Sequence, residues 1–340
     1  MLSRSLLLAP LAVLASSLDA QTLTAGPFLQ GQIAEIDLSG LPAGSLAVLL
    51  SSPLGAGSGP CLEPGPSACL GLANPILVLG SATATAGGDA AFAFALPPDI
   101  PLVTVAVQGL SVAPGAGGAL DFEVTNVASQ PIEPISALDD DFDGPGLDAA
   151  WQVLHPGEVA LEVVGGALSL VPVDNSLWFN NSESALVYKE VTGDFEVTTS
   201  VEVFDPAEPA SPPAPQYRLG GLLVRDPAGL PASPLNWVHL AAGAGELDTP
   251  LAVEHKRTVD SVSSFDLIGV SSLSLELRIV RIGSQFELSY REDAKGPWSL
   301  AQVYDHPTLP ATVHVGLMCY SPNAPAGVAA RFGGIAFAQP

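Results

Sequence analysis

A short aromatic and polar pattern in the C-terminal half of the chain could bind a ligand. In Leu-Asn-Trp-Val-His at 235–239, the alternation of a β-strand places Trp237 and His239 on one face. Aromatic rings stack on the apolar faces of sugar rings, and a guanidinium such as that of Arg225 can hold sugar hydroxyl groups. Five further aromatic candidates for this surface are Tyr188, Trp178, Tyr217, Tyr290 and Trp298. The pattern predicts a carbohydrate platform, although each ring taken singly also fits a core position.

A run of acidic residues could bind a cation. The pattern Asp-x-Asp-x-Asp-Gly at 139–144 matches the opening of an EF-hand loop, in which alternating carboxylates converge on calcium. The match ends at Ala150, which stands where the loop needs a bidentate Glu. A calcium site that uses Asp141 or Asp143 is therefore one interpretation. The other is an acidic first strand with Phe142 in the core, and no other cofactor is required.

Motifs of catalysis do not occur in the sequence. There is no Gly-x-Ser-x-Gly elbow and no His-Glu-x-x-His metal motif. The five histidines are dispersed, without the spacing of metal ligands. These observations favour a protein that binds a ligand without transforming it.

The three cysteines predict one disulfide and one free thiol. Cys61 and Cys69 lie eight positions apart in a loop rich in Pro and Gly, and we expect them to pair. Cys319 alternates with Val313, Val315 and Leu317 on one strand face. It is therefore expected to be a buried free thiol, because an apolar site disfavours the reactive thiolate.

The first twenty residues have the pattern of a secretory signal peptide. Arg4 precedes an apolar run at 6–15 that is too short for a membrane helix, and small and polar residues follow. Cleavage is predicted after Ala20, with cleavage after Ser17 as the alternative. The expected location is extracellular or in the cell envelope, without membrane insertion.

Charge excludes some classes of partner. Acidic residues outnumber basic ones 35 to 11, for a formal net charge of −24. This balance repels polyphosphate, so nucleic acid is not an expected partner.

Composition changes near residue 130, and this change predicts two domains. No Lys, Arg or Trp occurs between Gln21 and Val127, whereas all four tryptophans follow Ala137. The prolines of 128–137 are typical of an extended linker. The predicted domains are therefore 21–127 and 138–340.

The N-terminal domain is expected to be a small antiparallel β-sandwich, because short apolar runs alternate with gaps rich in Gly, Pro and Ser. Three features, Gly-Leu-Pro-Ala-Gly at 40–44, the Gly-rich stretch 79–90 and the Pro-Pro step at 97–98, make it similar to a β module that recurs in secreted proteins of environmental bacteria. That resemblance implies no activity.

The C-terminal domain is predicted to consist of two large packed sheets. In the run 193–203, apolar and polar residues alternate as in a strand with one wet face. The runs 273–279 and 285–290 flank the turn Gly283-Ser284 and predict a hairpin. About a dozen such runs occur without a convincing helix, which favours an all-β fold.

An ordered series of motifs covers residues 138–337. The motifs are Asp-Asp-Phe-Asp-Gly at 140–144, Gly-Gly-Ala-Leu at 165–168, Val-Thr-Gly-Asp-Phe-Glu-Val at 191–197, Gly-Gly-Leu-Leu-Val-Arg at 220–225, Asn-Trp-Val at 236–238, Leu-Arg-Ile-Val-Arg-Ile-Gly at 277–283 and Val-Gly-Leu at 315–317. In this order they resemble the concanavalin A-like lectin/glucanase superfamily, especially its laminin-G-like domains and the C-terminal modules of some β-xylosidases. The resemblance implies a jelly-roll sandwich with one concave sheet.

Members of that superfamily that cleave β-glucans carry Glu-x-Asp-x-x-Glu on a strand, and this chain has no such motif. The leading hypothesis is therefore a secreted, non-catalytic carbohydrate-binding or adhesion protein. Its partner would be an extracellular polysaccharide or a cell-surface glycan. The alternatives are a structural envelope or matrix protein without a small ligand, and a sugar-acting hydrolase. The sequence indicates no oligomeric state.

Overall fold

The computed structural model describes residues 21–62, 68–214, 216–322 and 327–340. The predicted signal peptide and its cleavage site lie outside these residues. The chain divides into two compact units. The first comprises Glu35–Ala93, Thr104–Gln130 and the described part of Met1–Gly26, and the second comprises Pro27–Ala34, Phe94–Val103 and Pro131–Pro340.

Almost all regular structure in the described residues is β, which confirms the predicted fold class. The helical elements there are short 3-10 turns at Ala116–Gly118, Ile135–Leu138 and Pro156–Glu158. None of the described helices is long and apolar enough to cross a membrane.

The described residues up to Glu133 contain ten strands. Their bounds are β1 Thr22–Ala25, β2 Phe28–Leu29, β3 Ile33–Ser39, β4 Leu46–Ser52, β5 Cys61–Leu62, β6 Ala68–Cys69, β7 Leu77–Thr83, β8 Ala90–Ala95, β9 Thr104–Pro114 and β10 Leu120–Glu133. One sheet has the order β1-β3-β8, and another contains β10-β9-β4-β7. In β3 the side chains of Ala34, Ile36 and Leu38 are buried and the residues between them are more exposed, as expected for a strand with one core face.

Strands β5 and β6 form a two-stranded ribbon in which Cys61 lies opposite Cys69. The two residues form the predicted disulfide.

The segment 128–137 is more structured than a linker. Residues up to Glu133 continue strand β10, and Ile132 and Glu133 pair in parallel with Phe28 and Leu29 of β2 within the second unit. Ile132 and Ile135 are buried. The prolines favour extended backbone here, and the apolar residues between them anchor it.

The second unit contains fourteen further strands in the described residues. They are β11 Gln152–Leu154, β12 Val159–Val163, β13 Leu168–Pro172, β14 Leu186–Thr192, β15 Phe195–Phe204, β16 Arg218–Arg225, β17 Trp237–Ala244, β18 Ala252–Val259, β19 Val262–Gly269, β20 Ser274–Ile282, β21 Gln285–Arg291, β22 Ser299–Asp305, β23 Thr312–Tyr320 and β24 Ala329–Ala338.

These strands form two seven-stranded antiparallel sheets packed face to face as a jelly-roll sandwich. The front sheet has the order β11-β14-β23-β16-β17-β18-β19, and the back sheet has the order β12-β13-β24-β15-β20-β21-β22. Their inner faces interdigitate in one apolar core that includes Leu222, Leu240, Leu277 and Phe332. Cys319 is a buried free thiol in this core, as predicted.

The two sheets differ on their outer faces. In β15 of the back sheet, buried and half-buried residues alternate, and β20 and β21 form the predicted hairpin. In β16 and β17 of the front sheet, every residue is buried. A strand buried on both faces needs a cover on each of them, so the front sheet carries a second packed layer on its outer face.

Candidate functional site

A short segment covers the outer face of the front sheet. This cover segment, residues 176–182, is held at one end by paired backbone hydrogen bonds between Ser176 and Ser321. At its other end, the backbone N–H of Asn180 donates to Ser263 Oγ and its side-chain Oδ1 accepts from the Ser263 N–H. Beneath it lies a second apolar cluster: Trp178, Leu186, Tyr188, Leu219, Leu223, Leu235, Trp237, Ala241, Met318 and Tyr320.

The cover segment corrects the prediction that Trp237 and Trp178 form a sugar platform. Both side chains are 0 % exposed, and their rings meet edge to face at 5.3 Å between centroids. Trp237 and His239 do lie on the outer face, as alternation predicted, but His239 is also fully buried. Alternation shows which face a side chain takes, whereas the cover decides whether solvent or a ligand can reach it.

A buried polar network lies beside these tryptophans. Glu254 and Lys256 stand two residues apart on β18, and Glu254 is 1 % exposed. Its Oε1 accepts from His239 Nε2 at 2.7 Å, from Lys256 Nζ at 2.8 Å and from the Tyr320 hydroxyl at 2.8 Å. Lys256 Nζ also donates to the carbonyl of Trp178 at 3.0 Å, which ties the network to the cover segment.

Electrostatics in this network keep Glu254 ionised. Burial by itself raises the pKa of a carboxyl, but the hydrogen bond from His239 and the charge of Lys256 outweigh it and lower the pKa of Glu254 to about 2. Burial and the nearby Lys256 lower the pKa of His239 to about 4. His239 is therefore neutral at pH 7 and carries its proton on Nε2, facing the carboxylate.

Several buried polar atoms around the network have no hydrogen-bond partner among the described residues. They are Glu254 Oε2, His239 Nδ1 and the indole N–H groups of Trp178 and Trp237. A buried polar atom without a partner costs roughly 1–3 kcal/mol. These four atoms are also almost wholly inaccessible to solvent.

A cavity of about 280 Å³ lies beside this network. Its lining consists of Leu177, Phe179, Tyr217, Glu254, Lys256, Phe265, Tyr320 and Pro322. Four of these eight residues are aromatic, and Glu254 is the one carboxylate among them. The cavity therefore has an aromatic wall, with the buried ion pair of Glu254 and Lys256 behind it.

The strands and loops bring the wall together from distant parts of the chain. Phe265 lies on β19 opposite Lys256 and contacts both Phe179 of the cover segment and Tyr217, at 6.1 Å between ring centroids in each case. Lys256 Nζ lies 5.2–5.5 Å from the ring centroids of Phe179, Phe265 and Tyr320. These cation–π contacts hold the buried ammonium against the aromatic wall.

Tyr217 stands at the rim with a left-handed backbone, at φ 57°. Its hydroxyl donates to the Glu246 carboxylate, and this hydrogen bond is the main reason that the pKa of Tyr217 is raised to about 12. Of the sequence-predicted candidates, Tyr217 alone lines the cavity. Sequence reasoning missed Phe179, Glu254, Lys256, Phe265 and Tyr320. One signal was available in the sequence. Glu254 and Lys256 are two positions apart, so they share one face of a strand, and basic residues are rare in this chain.

Tyr188 and Arg225 lie on the same outer face, at the side of the apolar cluster away from Glu254, and both contact His314. The Tyr188 ring stacks on His314 at 3.9 Å between centroids. Arg225 is 3 % exposed, donates to Glu183 Oε2 at 3.0 Å and lies 3.3 Å from His314 Nδ1. These groups satisfy one another, so the structure gives Arg225 the role of an internal ion-pair partner in place of the predicted ligand clamp.

Tyr290 and Trp298 belong to the back sheet region and do not join the others. Tyr290 lies on β21 and packs against the inter-sheet core. The Trp298 ring is flanked by Arg278 at 4.9 Å and Arg291 at 4.4 Å. The residues of the predicted single platform therefore lie on two different sheets. Alternation along one strand shows which residues share a face of that strand, but not which sheet the strand joins.

The acidic segment 139–144 is the predicted calcium site. Within the described residues, no group of three or more His, Cys, Asp or Glu side chains is arranged to hold a metal ion. Asp141 Oδ1 instead accepts the backbone N–H of Asp143 at 3.1 Å. Phe142 is buried in the core, as the alternative interpretation expects, although the residue does not lie in a strand.

The chain matches no family model and no curated protein sequence. A GH43 protein from Bacillus licheniformis, BlXynB, matches with a TM-score of 0.50 and 11% identity, over 93% of this chain and 65% of that one. A variant of the same protein matches with a TM-score of 0.50 and 12% identity, over 70% and 51%. Lectin I-B4 from Griffonia simplicifolia matches with a TM-score of 0.39 and 11% identity, over 60% and 99%.

This chain therefore spans between half and two thirds of the length of BlXynB. At such low identity the likeness to BlXynB shows a shared β architecture and gives no information on activity.

Proposed function

We propose that the second unit binds a carbohydrate without cleaving it, and that the aromatic cavity beside Glu254 is the binding site. The observation that carries the proposal is the cavity of about 280 Å³ whose lining includes four aromatic side chains. Sugars have apolar C–H faces that stack on aromatic rings, so they complement such a wall.

The electrostatics of the cavity support binding in preference to hydrolysis. Glycoside hydrolysis needs two carboxyl groups on opposite sides of the scissile bond, about 5–9.5 Å apart. Glu254 is the one carboxylate among the described lining residues. With a pKa of about 2 it is ionised at neutral pH and has no proton to donate to a leaving group.

Location outside the cytosol is part of the proposal. The disulfide between Cys61 and Cys69 supports it, because such bonds persist in oxidising compartments. An extracellular polysaccharide or a cell-surface glycan would then be the natural partner.

A structural role in an envelope or matrix is the second candidate, and one observation favours it. Edge strand β7 exposes Leu77, Val78 and Leu79, with Val78 68 % exposed. An apolar, unpaired strand edge invites association with other chains. This candidate predicts assembly without any soluble glycan.

Calorimetric titration of the full chain with a panel of soluble glycans tests the proposal. Phe265→Ala should weaken the binding of any glycan at least tenfold, because Phe265 forms the exposed side of the wall. The control is Trp298→Ala on the back sheet, which should leave binding unchanged. A panel without any binding ligand, or equal effects of the two variants, would contradict the proposed site.

A further inference from the structure

We infer that the group that enters the cavity beside Glu254 is an uncharged aromatic ring. For the rest of the ligand the inference rests on the proposed function, under which the ring is a substituent of a glycan and the sugar itself stays at the rim, against the exposed side of Phe265.

The first step is the supply of hydrogen bonds inside the cavity. Four of the eight lining side chains carry no donor or acceptor, namely Leu177, Phe179, Phe265 and Pro322. The hydroxyl of Tyr320 already donates to Glu254, and that of Tyr217 donates to Glu246. A ligand hydroxyl would lose its water there without a new partner among these side chains, which weakens binding. The group that enters is therefore apolar.

The second step is charge. The two charged lining residues, Glu254 and Lys256, pair with each other at 2.8 Å, and their side chains are 1 % and 3 % exposed. Neither is free to pair with a ligand, and no other charged side chain lines the described cavity. An ionised ligand group would therefore be desolvated without compensation. The cavity selects an uncharged group.

The third step is the arrangement of the rings. Phe265 lies at 80° to Phe179 and at 87° to Tyr217, with 6.1 Å between the ring centroids in each pair. Aromatic rings prefer offset-stacked or edge-to-face contacts. A flat guest that stacks on one of these three rings can meet a nearly perpendicular one edge to face, so that both preferred contacts form together. This corner suits an aromatic ring better than a puckered aliphatic group.

The fourth step is size. The cavity volume of about 280 Å³ exceeds the roughly 150 Å³ at which an apolar protein cavity takes up benzene. It lies just below the roughly 300–1,000 Å³ of pockets for larger ligands. The cavity therefore has room for one ring with a short linker, and an oligosaccharide is too large to enter it whole.

The fifth step is access. Phe265 is 39 % exposed and Tyr217 is half-buried, so a ligand can reach the aromatic wall from solvent. Polar groups suited to a sugar stand at this rim, because the Tyr217 hydroxyl keeps a lone pair and its partner Glu246 is exposed. A glycan with an aromatic substituent would therefore place its ring in the cavity and its hydroxyl groups at the rim.

The experiment begins with the unmodified full chain and a probe that contains no sugar. Benzyl alcohol is titrated and followed by ligand-observed nuclear magnetic resonance, which detects the millimolar affinity expected for so small a molecule. Saturable binding is expected. Benzoate and benzylammonium should each bind at least tenfold less tightly, because the cavity compensates neither charge. Tighter binding of either ion would overturn the inference.

The second arm compares matched glycosides of the sugars that bind in the panel. The phenyl glycoside should bind at least tenfold more tightly than the methyl glycoside of the same sugar, because burial of the ring removes apolar area from water. Benzyl alcohol should compete with the phenyl glycoside.

The variant arm fills the cavity. Leu177→Trp adds a large side chain to the lining and should weaken the binding of benzyl alcohol and of phenyl glycosides at least tenfold. The matched control is Leu300→Trp on β22 of the back sheet, at a position that is 59 % exposed, for which no change is expected. Circular dichroism checks that both variants are folded, and if Leu177→Trp is not, the two arms on the unmodified protein decide.

The possible failures are distinguishable. If benzyl alcohol enters the cavity but no glycan or glycoside binds, the proposed carbohydrate function fails and the inference about the cavity stands. If glycans bind but benzyl alcohol does not, or phenyl and methyl glycosides bind equally, the function stands and the inference is overturned. Binding of benzyl alcohol that a folded Leu177→Trp protein retains in full would place the ring elsewhere and likewise overturn it.

Discussion

Glu254 and Lys256 share one face of strand β18, and their charged atoms meet at 2.8 Å beneath the cover segment. Both side chains are almost inaccessible to solvent. Two opposite charges can remain in an apolar layer because each one compensates the desolvation of the other, with His239 and Tyr320 completing the hydrogen bonds.

The first prediction concerns this ion pair. Lys256→Met alone leaves Glu254 as a buried anion without its cation and should lower the free energy of unfolding by about 3–5 kcal/mol. The double substitution Glu254→Gln with Lys256→Met should cost clearly less. Urea denaturation measures both, and a double variant less stable than Lys256→Met would contradict the pairing.

The second prediction concerns pH. The folded-state pKa of His239 is about 4, below its ordinary value of 6.5, so between these values the unfolded chain binds more protons. His239 alone should therefore lower the stability by about 3 kcal/mol as pH drops from 6.5 to 4, and His314, whose pKa burial also lowers to about 4, acts in the same direction. The depressed pKa of Glu254 extends the loss from 4.5 towards 2.

Denaturation series at several pH values measure this slope. His239→Gln should remove the part of this slope that His239 contributes between pH 6.5 and 4. Trp298→Phe, which removes no titrating group, is the control and should leave the slope unchanged. Equal slopes for the native protein and His239→Gln would show that His239 is not the buried neutral group described above.

The third prediction concerns Trp237. Because its ring is fully buried against Trp178, Trp237→Ala should lower the free energy of unfolding by about 3–5 kcal/mol. Trp298→Ala, at a partly exposed ring, should cost less. Thermal or urea unfolding checks both, and a stable Trp237→Ala protein would place that ring outside the core.

The fourth prediction concerns the disulfide. Replacing Cys61 and Cys69 by Ser releases a loop of about nine residues and should cost about 2–3 kcal/mol on the chain-entropy estimate. Calorimetry of the native and substituted proteins measures the difference. Cys319→Ser is the comparison. It places a hydroxyl without a partner in the apolar core, so it should also destabilise the protein. Because Cys319 forms no disulfide, this effect should not depend on reductant.

The fifth prediction concerns calcium. Since Asp141 accepts a backbone hydrogen bond and no described group converges with it, calcium should not raise the melting temperature. Thermal unfolding with millimolar calcium and with a chelator should coincide. A calcium-dependent increase in stability that Asp141→Asn abolishes would restore the cation site.

The sequence predicted those features that depend only on residues close together in the chain. Alternation in β15 and the Gly283-Ser284 turn required only the period of a strand and the chemistry of a turn. Cys61 and Cys69 are close in the chain, so their pairing required no knowledge of the tertiary fold. The all-β class likewise follows from repeated short apolar runs between Gly and Pro.

The site could not be read in the same way. Phe179, Phe265 and Tyr320 come from a loop and two strands that are not adjacent in the front sheet, and only the packed sheets place them around one cavity. Strand period showed that Trp237 and His239 share the outer face, but not that the cover segment closes over them. Burial depends on contacts between residues far apart in the chain. The tertiary structure alone therefore decided that the predicted platform is core and that Phe179, Phe265 and Tyr320 line one cavity.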